Sequence, residues 1–140
     1  MRITRRHRFY AAHRNERMTG SKCERLHGHR YGVEVDFDFV AGGPVTVPFE
    51  DLDAAVEPIL AALDHRTLVH AADVALIAAI DPSHRVVFDW PTSAENLAAY
   101  LLASIREVEP SATALRLAET DSSVVTATVE DLERWPTATA

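Results

Sequence analysis

From Arg30 to Phe39 the chain alternates: Tyr31, Val33, Val35, Phe37 and Phe39 are apolar, while Arg30, Glu34, Asp36 and Asp38 occupy the opposite parity. A period of two predicts an antiparallel strand with one face on a core and the other toward water. His27 and His29 fall on the apolar parity of the same run. A less regular alternation covers Ile3 to His13, with Ile3, Phe9 and Ala11 on one parity and Arg6 and Arg8 on the other; Arg5 and His7 blur the apolar face. Between the two strands, Arg14 to Lys22 contains Asn15, Thr19, Gly20 and Ser21 and reads as a loop, so Cys23 is expected to enter the second strand from a flexible lead.

The run Ala41-Gly42-Gly43-Pro44 breaks the chain, and from Phe49 the positions Leu52, Val56, Ile59, Leu60 and Leu63 fit one face of a helix. Pro58 inside that pattern predicts a kink or the first turn of a new segment. In the Ala-rich stretch that follows, Ala72 to Ile80 reads as a short helix and Arg85 to Phe88 as extended chain, with a turn at Asp81-Pro82-Ser83. Thr92-Ser93-Ala94-Glu95 has the spacing of a capping box with Thr92 as N-cap, opening a helix from Ser93 to Glu107 that buries Leu97, Tyr100, Leu101 and Ile105. Extended runs at Ala114 to Thr120 and Ser123 to Glu130 close the fold as a hairpin through Asp121-Ser122. The order of two strands, two main helices and two strands predicts an α+β domain, with helices on one face of an antiparallel four-stranded sheet. Residues 1–135 are expected to form this single domain, and Pro136 to Ala140 a frayed tail.

Composition narrows the functional classes. A chain of 140 residues with 47% hydrophobic content suits one domain with a real core. The net charge of -7 argues against general binding to nucleic acid or to an anionic membrane, and points to a small-molecule partner. One cysteine excludes an internal disulfide, and no apolar run approaches the roughly 18 residues of a membrane span. The Arg-rich start lacks an apolar stretch that could serve as a signal core, so a cytoplasmic location is expected.

The segment Cys23-Glu24-Arg25-Leu26-His27-Gly28-His29 holds most of the candidate chemistry. Histidines two apart in a strand point the same way, and His13 at the end of the first strand can join them from a neighbouring antiparallel strand. Three neutral imidazoles with an open fourth position describe a catalytic zinc site better than a structural one. Cys23 is either a small buried hydrophobe or, beside Lys22, Arg25 and a metal, a thiol activated as base or nucleophile. Asp64-His65 reads either as a helix-end charge pair or as an imidazole oriented by a carboxylate for general acid-base work. Glu119 is a carboxylate in a mostly apolar strand, where a ligand with paired N–H groups would satisfy it.

Taken together, Phe9-x-x-x-His13, Cys23-x-x-x-His27-Gly28-His29, Leu63-Asp64-His65, Thr92-Ser93-Ala94-Glu95-Asn96-Leu97 and Glu119-Thr120-Asp121 resemble, in order and over most of the chain, the 6-pyruvoyl- and 6-carboxy-tetrahydropterin synthase family. The resemblance implies a tunnelling fold of ββααββ type, in which trimeric rings stack into a homohexamer with active sites between subunits. It implies that His13, His27 and His29 bind zinc, that Cys23 is the base, and that Asp64 and His65 relay or return the proton. Glu119 would anchor the pterin, with Ser93, Thr92 and Thr120 helping to hold the ring. The chain departs from the family pattern at Val47-Pro48-Phe49, at Arg66-Thr67-Leu68 after the Asp-His step, and in a longer segment from Val69 to Trp90.

The three-residue gap between Cys23 and His27 resembles the bacterial carboxy type. The implied reaction converts 7,8-dihydroneopterin triphosphate to 6-carboxy-tetrahydropterin and acetaldehyde, on a route to queuosine or another deazapurine. The 6-pyruvoyl product is the lesser variant. Glu24 also matches a subgroup in which glutamate supports aldolase-like cleavage of dihydroneopterin to 6-hydroxymethyl-dihydropterin; its plain alternative is a solvent-facing side chain. A binding paralogue that keeps zinc and pterin without turnover is the non-enzymatic alternative.

Overall fold

In the computed structural model, which describes residues 1–135, the alternating segments form β1 (Arg2–His13) and β2 (His27–Asp38). There follow α1 (Phe49–Ala61), β3 (Arg66–His70), α2 (Val74–Ala79), β4 (Arg85–Phe88), α3 (Ala94–Val108), β5 (Ala112–Thr120), β6 (Ser123–Thr128) and α4 (Val129–Leu132). The α+β class expected from the pattern is present, but the sheet is six-stranded and mixed, in the order β4-β3-β1-β2-β5-β6. β1, β2, β5 and β6 pair antiparallel, whereas β3 runs parallel to both β1 and β4. Of the two added strands, β4 is the extended run expected at Arg85 to Phe88, whereas β3 escaped the pattern for a physical reason. Leu68, Val69 and His70 are buried in succession, as in a strand covered on both faces, so no alternation marks β3. The short α2 is the crossover that such parallel pairing requires.

The apolar parity of the strands meets α1 and α3. Phe9, Tyr31, Val33, Val35, Phe37, Leu115 and Leu117 form the core with Leu52, Val56, Leu60, Leu97, Leu101 and Ile105. Arg5 and His7, which blurred this face of β1, are accommodated by one helical carboxylate. Asp53 accepts two bonds from Arg5 at 2.8 and 2.7 Å, and His7 Nε2 lies 3.3 Å away. On the opposite face, Arg116 bonds both Glu34 and Asp36, and Arg2 reaches Asp36 and Asp38.

Several boundaries differ from the pattern. Helix α1 passes through Pro58 without starting a new segment; Pro58 and Ala54 are both exposed, so the Ala54 carbonyl that loses its N–H partner faces water. The N-cap of α3 is Ser93, not Thr92: Ser93 Oγ accepts the Asn96 N–H at 3.4 Å, while Thr92 is 1% exposed and turned toward β1. Cys23 lies in a single 3-10 turn, Lys22–Glu24, and β2 begins only at His27. Strand β6 stops at Thr128, where Thr128 and Asp131 form a capping box for α4. The expected tail, 136–140, lies outside the described residues.

Candidate active site

The hairpin register of β1 and β2 places His13 opposite His27 and Ala11 opposite His29. All three histidines therefore share the apolar parity at one end of the sheet. One ring nitrogen of each lies within 4.8 Å of the others, and His27 Nε2 is 3.0 Å from His29 Nε2. Two rings are held from behind. His13 Nδ1–H donates to the Thr92 carbonyl at 2.7 Å, and His27 Nδ1–H donates to the Arg25 carbonyl at 2.6 Å. A bond of that kind fixes the tautomer and leaves Nε2 with a free lone pair. Burial pushes His13 down to about 4, assisted by the neighbouring imidazoles, and burial also lowers His29. Both rings are thus neutral at neutral pH, the form that binds metal. A tetrahedral zinc with bonds of about 2.0–2.1 Å needs nitrogens about 3.4 Å apart, within the spread seen here. The donor set fits the ion.

Glu119 reaches the same point from β5, where the pairing with β6 slips between Ala118 and Thr120. Its Oε1 lies 3.6 Å from His13 Nε2 and 3.9 Å from His29 Nε2. A cavity of about 890 Å³, large enough for a bicyclic ligand with a side chain, is lined mainly from the opposite parity of the sheet, by Arg6, Arg8, Arg30, Glu34 and Arg116 among others, and also by His29 and Glu119, but not by His13 or His27.

Tyr31, in the alternation only an apolar strand position, also stands beside the triad. Its ring stacks on Phe9 at 4.8 Å and stands 5.3 Å from that of His29, and its hydroxyl is buried with no hydrogen-bond partner among the described residues. Burial, with the Glu119 charge nearby, raises its pKa, so the hydroxyl stays protonated and able to donate. The available signal was parity: Tyr31 follows His29 by two residues.

The other expected site residues are placed as follows. Cys23 is a partly exposed free thiol, its backbone tied to Ser21 Oγ and to the Asn15 N–H. Glu24 turns its carboxylate back into its own loop, accepting the Gly20 N–H at 2.9 Å. Asp64 and His65 form a pair at 2.9 Å but stand beside Tyr10, not with the histidine triad. Asp64 accepts the Tyr10 N–H, which chiefly depresses its pKa, and the His65 ring lies 5.7 Å from that of Tyr10. Tyr10 has the parity opposite to His13, so its side chain points to the other face of the sheet. His65 also has φ 59 and a side chain 77% exposed; for a non-glycine residue that backbone costs on the order of 1–3 kcal/mol and commonly marks functional positions. The hydroxyls of Ser93 and Thr120 are engaged with Asn96 and Ser122, and Thr92 Oγ1 approaches the Arg14 carbonyl at 3.4 Å.

The described residues contain no helix long and apolar enough to cross a membrane. A family model described as 6-pyruvoyl tetrahydropterin synthase matches residues 2–130. No curated protein sequence matches the chain. Among solved structures, the uncharacterized protein WS1659 from Wolinella succinogenes superposes with a TM-score of 0.76 at 18% identity, over 92% of this chain and 98% of that one. The 6-pyruvoyl tetrahydropterin synthase of Caenorhabditis elegans gives 0.67 at 19% identity, covering 91% and 94%. A Plasmodium vivax 6-pyruvoyltetrahydropterin synthase variant, its catalytic glutamate replaced by alanine, gives 0.70 at 16% identity, covering 91% and 96%. At these identities the likeness concerns the fold.

Proposed function

Since the chain belongs to the 6-pyruvoyl tetrahydropterin synthase family, we propose that it is a zinc-dependent pterin lyase acting on 7,8-dihydroneopterin triphosphate. The product is 6-carboxy-5,6,7,8-tetrahydropterin, with water consumed and acetaldehyde and triphosphate released, on a route to queuosine or another deazapurine. The observation that carries this reading is the convergence of His13, His27 and His29 with the Glu119 carboxylate beside them. The short gap from Cys23 to His27 favours the carboxy over the pyruvoyl product.

The three histidines would hold zinc, which supplies polarisation of the substrate's side-chain oxygens and stabilisation of the negative charge left when a C–H proton is removed. Glu119, an acceptor on both oxygens, takes the ring N–H and amino donors of the pterin, with Ser93, Thr92 and Thr120 around the ring. Cys23 removes the proton from the side-chain carbon. His65, its Nδ1–H held by Asp64, offers Nε2 to relay or return that proton. Because the Asp64-His65 pair stands on the other side of β1 from the triad, it serves the site of a neighbouring subunit, which is the arrangement of a homohexamer built from two trimers. Residues 1–135 act as one pterin-binding unit, in the cytoplasm.

Glu24 defines a second reading, cleavage of dihydroneopterin to 6-hydroxymethyl-dihydropterin, motivated by the spacing Glu24-x-x-His27-Gly28-His29. The bond of Glu24 to Gly20 weighs the other way. Zinc-loaded Cys23→Ala and Glu24→Ala proteins separate the two. The carboxy-pterin reading expects turnover to be lost in the first and largely kept in the second; dihydroneopterin consumption with the reverse pattern would replace it.

A further inference from the structure

The loop between β1 and β2 carries Cys23 yet has almost no hydrophobic anchor: Met18 and Leu26 are 45% and 46% exposed. It is folded on itself by backbone bonds, including Asn15 N–H to the Cys23 carbonyl at 2.8 Å, Met18 N–H to Asn15 and Ser21 N–H to Met18. Among the described residues, and apart from the β ladder, the hydrogen bonds tying residues 14–24 to the rest of the chain go to three places. Arg14 makes a two-pronged bond with Asp73 at 2.6 and 2.5 Å, Glu16 accepts from His70 Nδ1, and the Arg14 carbonyl accepts from Thr92. His70 ends β3 and Asp73 caps α2, where it also accepts the Leu76 N–H, so both belong to the parallel crossover.

These are expensive groups to bury. His70 is 7% and Asp73 5% exposed, and Glu16 Oε2 is buried with no hydrogen-bond partner among the described residues. Charged groups away from water cost stability unless fully satisfied, and apolar side chains could fill the same space at less cost. What the polar pairs add is direction, since a guanidinium fork on a carboxylate fixes orientation as well as distance. Asn15 sits between the two clamped residues and grips the Cys23 carbonyl. The crossover is therefore linked to the thiol-bearing turn by a short chain of bonds.

We propose that Arg14, Glu16, His70 and Asp73 are positioning residues that hold the Cys23 turn in register with the histidine triad. For catalysis this rests on the reading of Cys23 as the base; the mechanical part stands without it. The test uses the full-length zinc-loaded protein and the near-isosteric variants Glu16→Gln and Asp73→Asn, with His70→Ala beside them. Cys23 is the only cysteine, so iodoacetamide labelling reports on it alone, and hydrogen exchange reads residues 14–24 against the β2 core. Labelling is expected to quicken about tenfold and loop exchange to rise while core exchange stays unchanged. With dihydroneopterin triphosphate, kcat should fall on the order of 10- to 100-fold with KM within about twofold, the signature of a displaced reacting group. Arg14→Lys, which keeps the charge and loses the fork, should fall between these variants and the parent.

Unchanged labelling and loop exchange in folded Glu16→Gln and Asp73→Asn proteins would overturn the proposal. So would a loosened loop with kcat intact in an active enzyme. If the parent turns over no pterin, the functional reading fails, while labelling and exchange still decide whether the crossover holds the turn.

Discussion

His27 is held through Nδ1 by the Arg25 carbonyl and faces His29 through Nε2, so it should be required for metal binding and dispensable for folding. His27→Ala is expected to drop zinc from one equivalent per chain to substoichiometric levels, read by equilibrium dialysis and metal analysis, with an unchanged far-UV spectrum. Tyr31 allows a sharper test. Its hydroxyl is buried without a partner among the described residues, and such a group costs about 1–3 kcal/mol. Tyr31→Phe should leave the ligand-free chain at least as stable in urea titration; a loss of more than about 1 kcal/mol would mean the hydroxyl is bonded. The histidine triad was legible from spacing, because a two-residue step in a strand fixes a common face. The carbonyls of Thr92 and Arg25 that orient it were not, since a backbone acceptor leaves no mark on residue type.

At the scale of elements, the long strands announced themselves because one face is apolar and the other is a charge ladder. That ladder makes an acid-stability prediction. Arg116 bonds to Glu34 and Asp36 and holds both carboxyls below their ordinary values of 4.5 and 3.8. A carboxyl with a depressed pKa binds fewer protons folded than unfolded, so its stabilisation is complete above the ordinary value and is lost as pH falls through the depressed one. Arg116→Met should lower the urea midpoint at neutral pH but lose less stability than the parent on acidification, so that the gap between the two narrows as pH falls through the carboxyl range; a gap that is the same at all pH values would contradict this. Strands β3 and β4 were harder to read. β4 was legible only as extended chain, and β3, five residues long and buried at three successive positions, carried neither alternation nor helical period. The N-cap of α3 is displaced by one residue, and the capping box with Glu95 is not formed, because Thr92 is committed to the interior, a tertiary demand that local spacing does not record.

For the molecule as a whole, the separation between the triad and the Asp64-His65 pair is the most consequential feature that the sequence did not show. Both motifs were evident, but their placement near opposite faces of β1 depends on the β3 pairing. If active sites form between subunits, mixing Cys23→Ala and His65→Ala chains, each inactive, and letting them exchange should restore part of the activity by placing intact halves together. No recovery after verified exchange would place both halves in one chain. The most direct test of the zinc-dependent pterin lyase is mass-spectrometric product analysis of the zinc-loaded protein offered 7,8-dihydroneopterin triphosphate and dihydroneopterin separately. 6-Carboxy-tetrahydropterin and acetaldehyde are expected from the triphosphate, and both should be abolished by zinc removal and by Cys23→Ala. Protein with one bound zinc per chain that consumes neither substrate would contradict it.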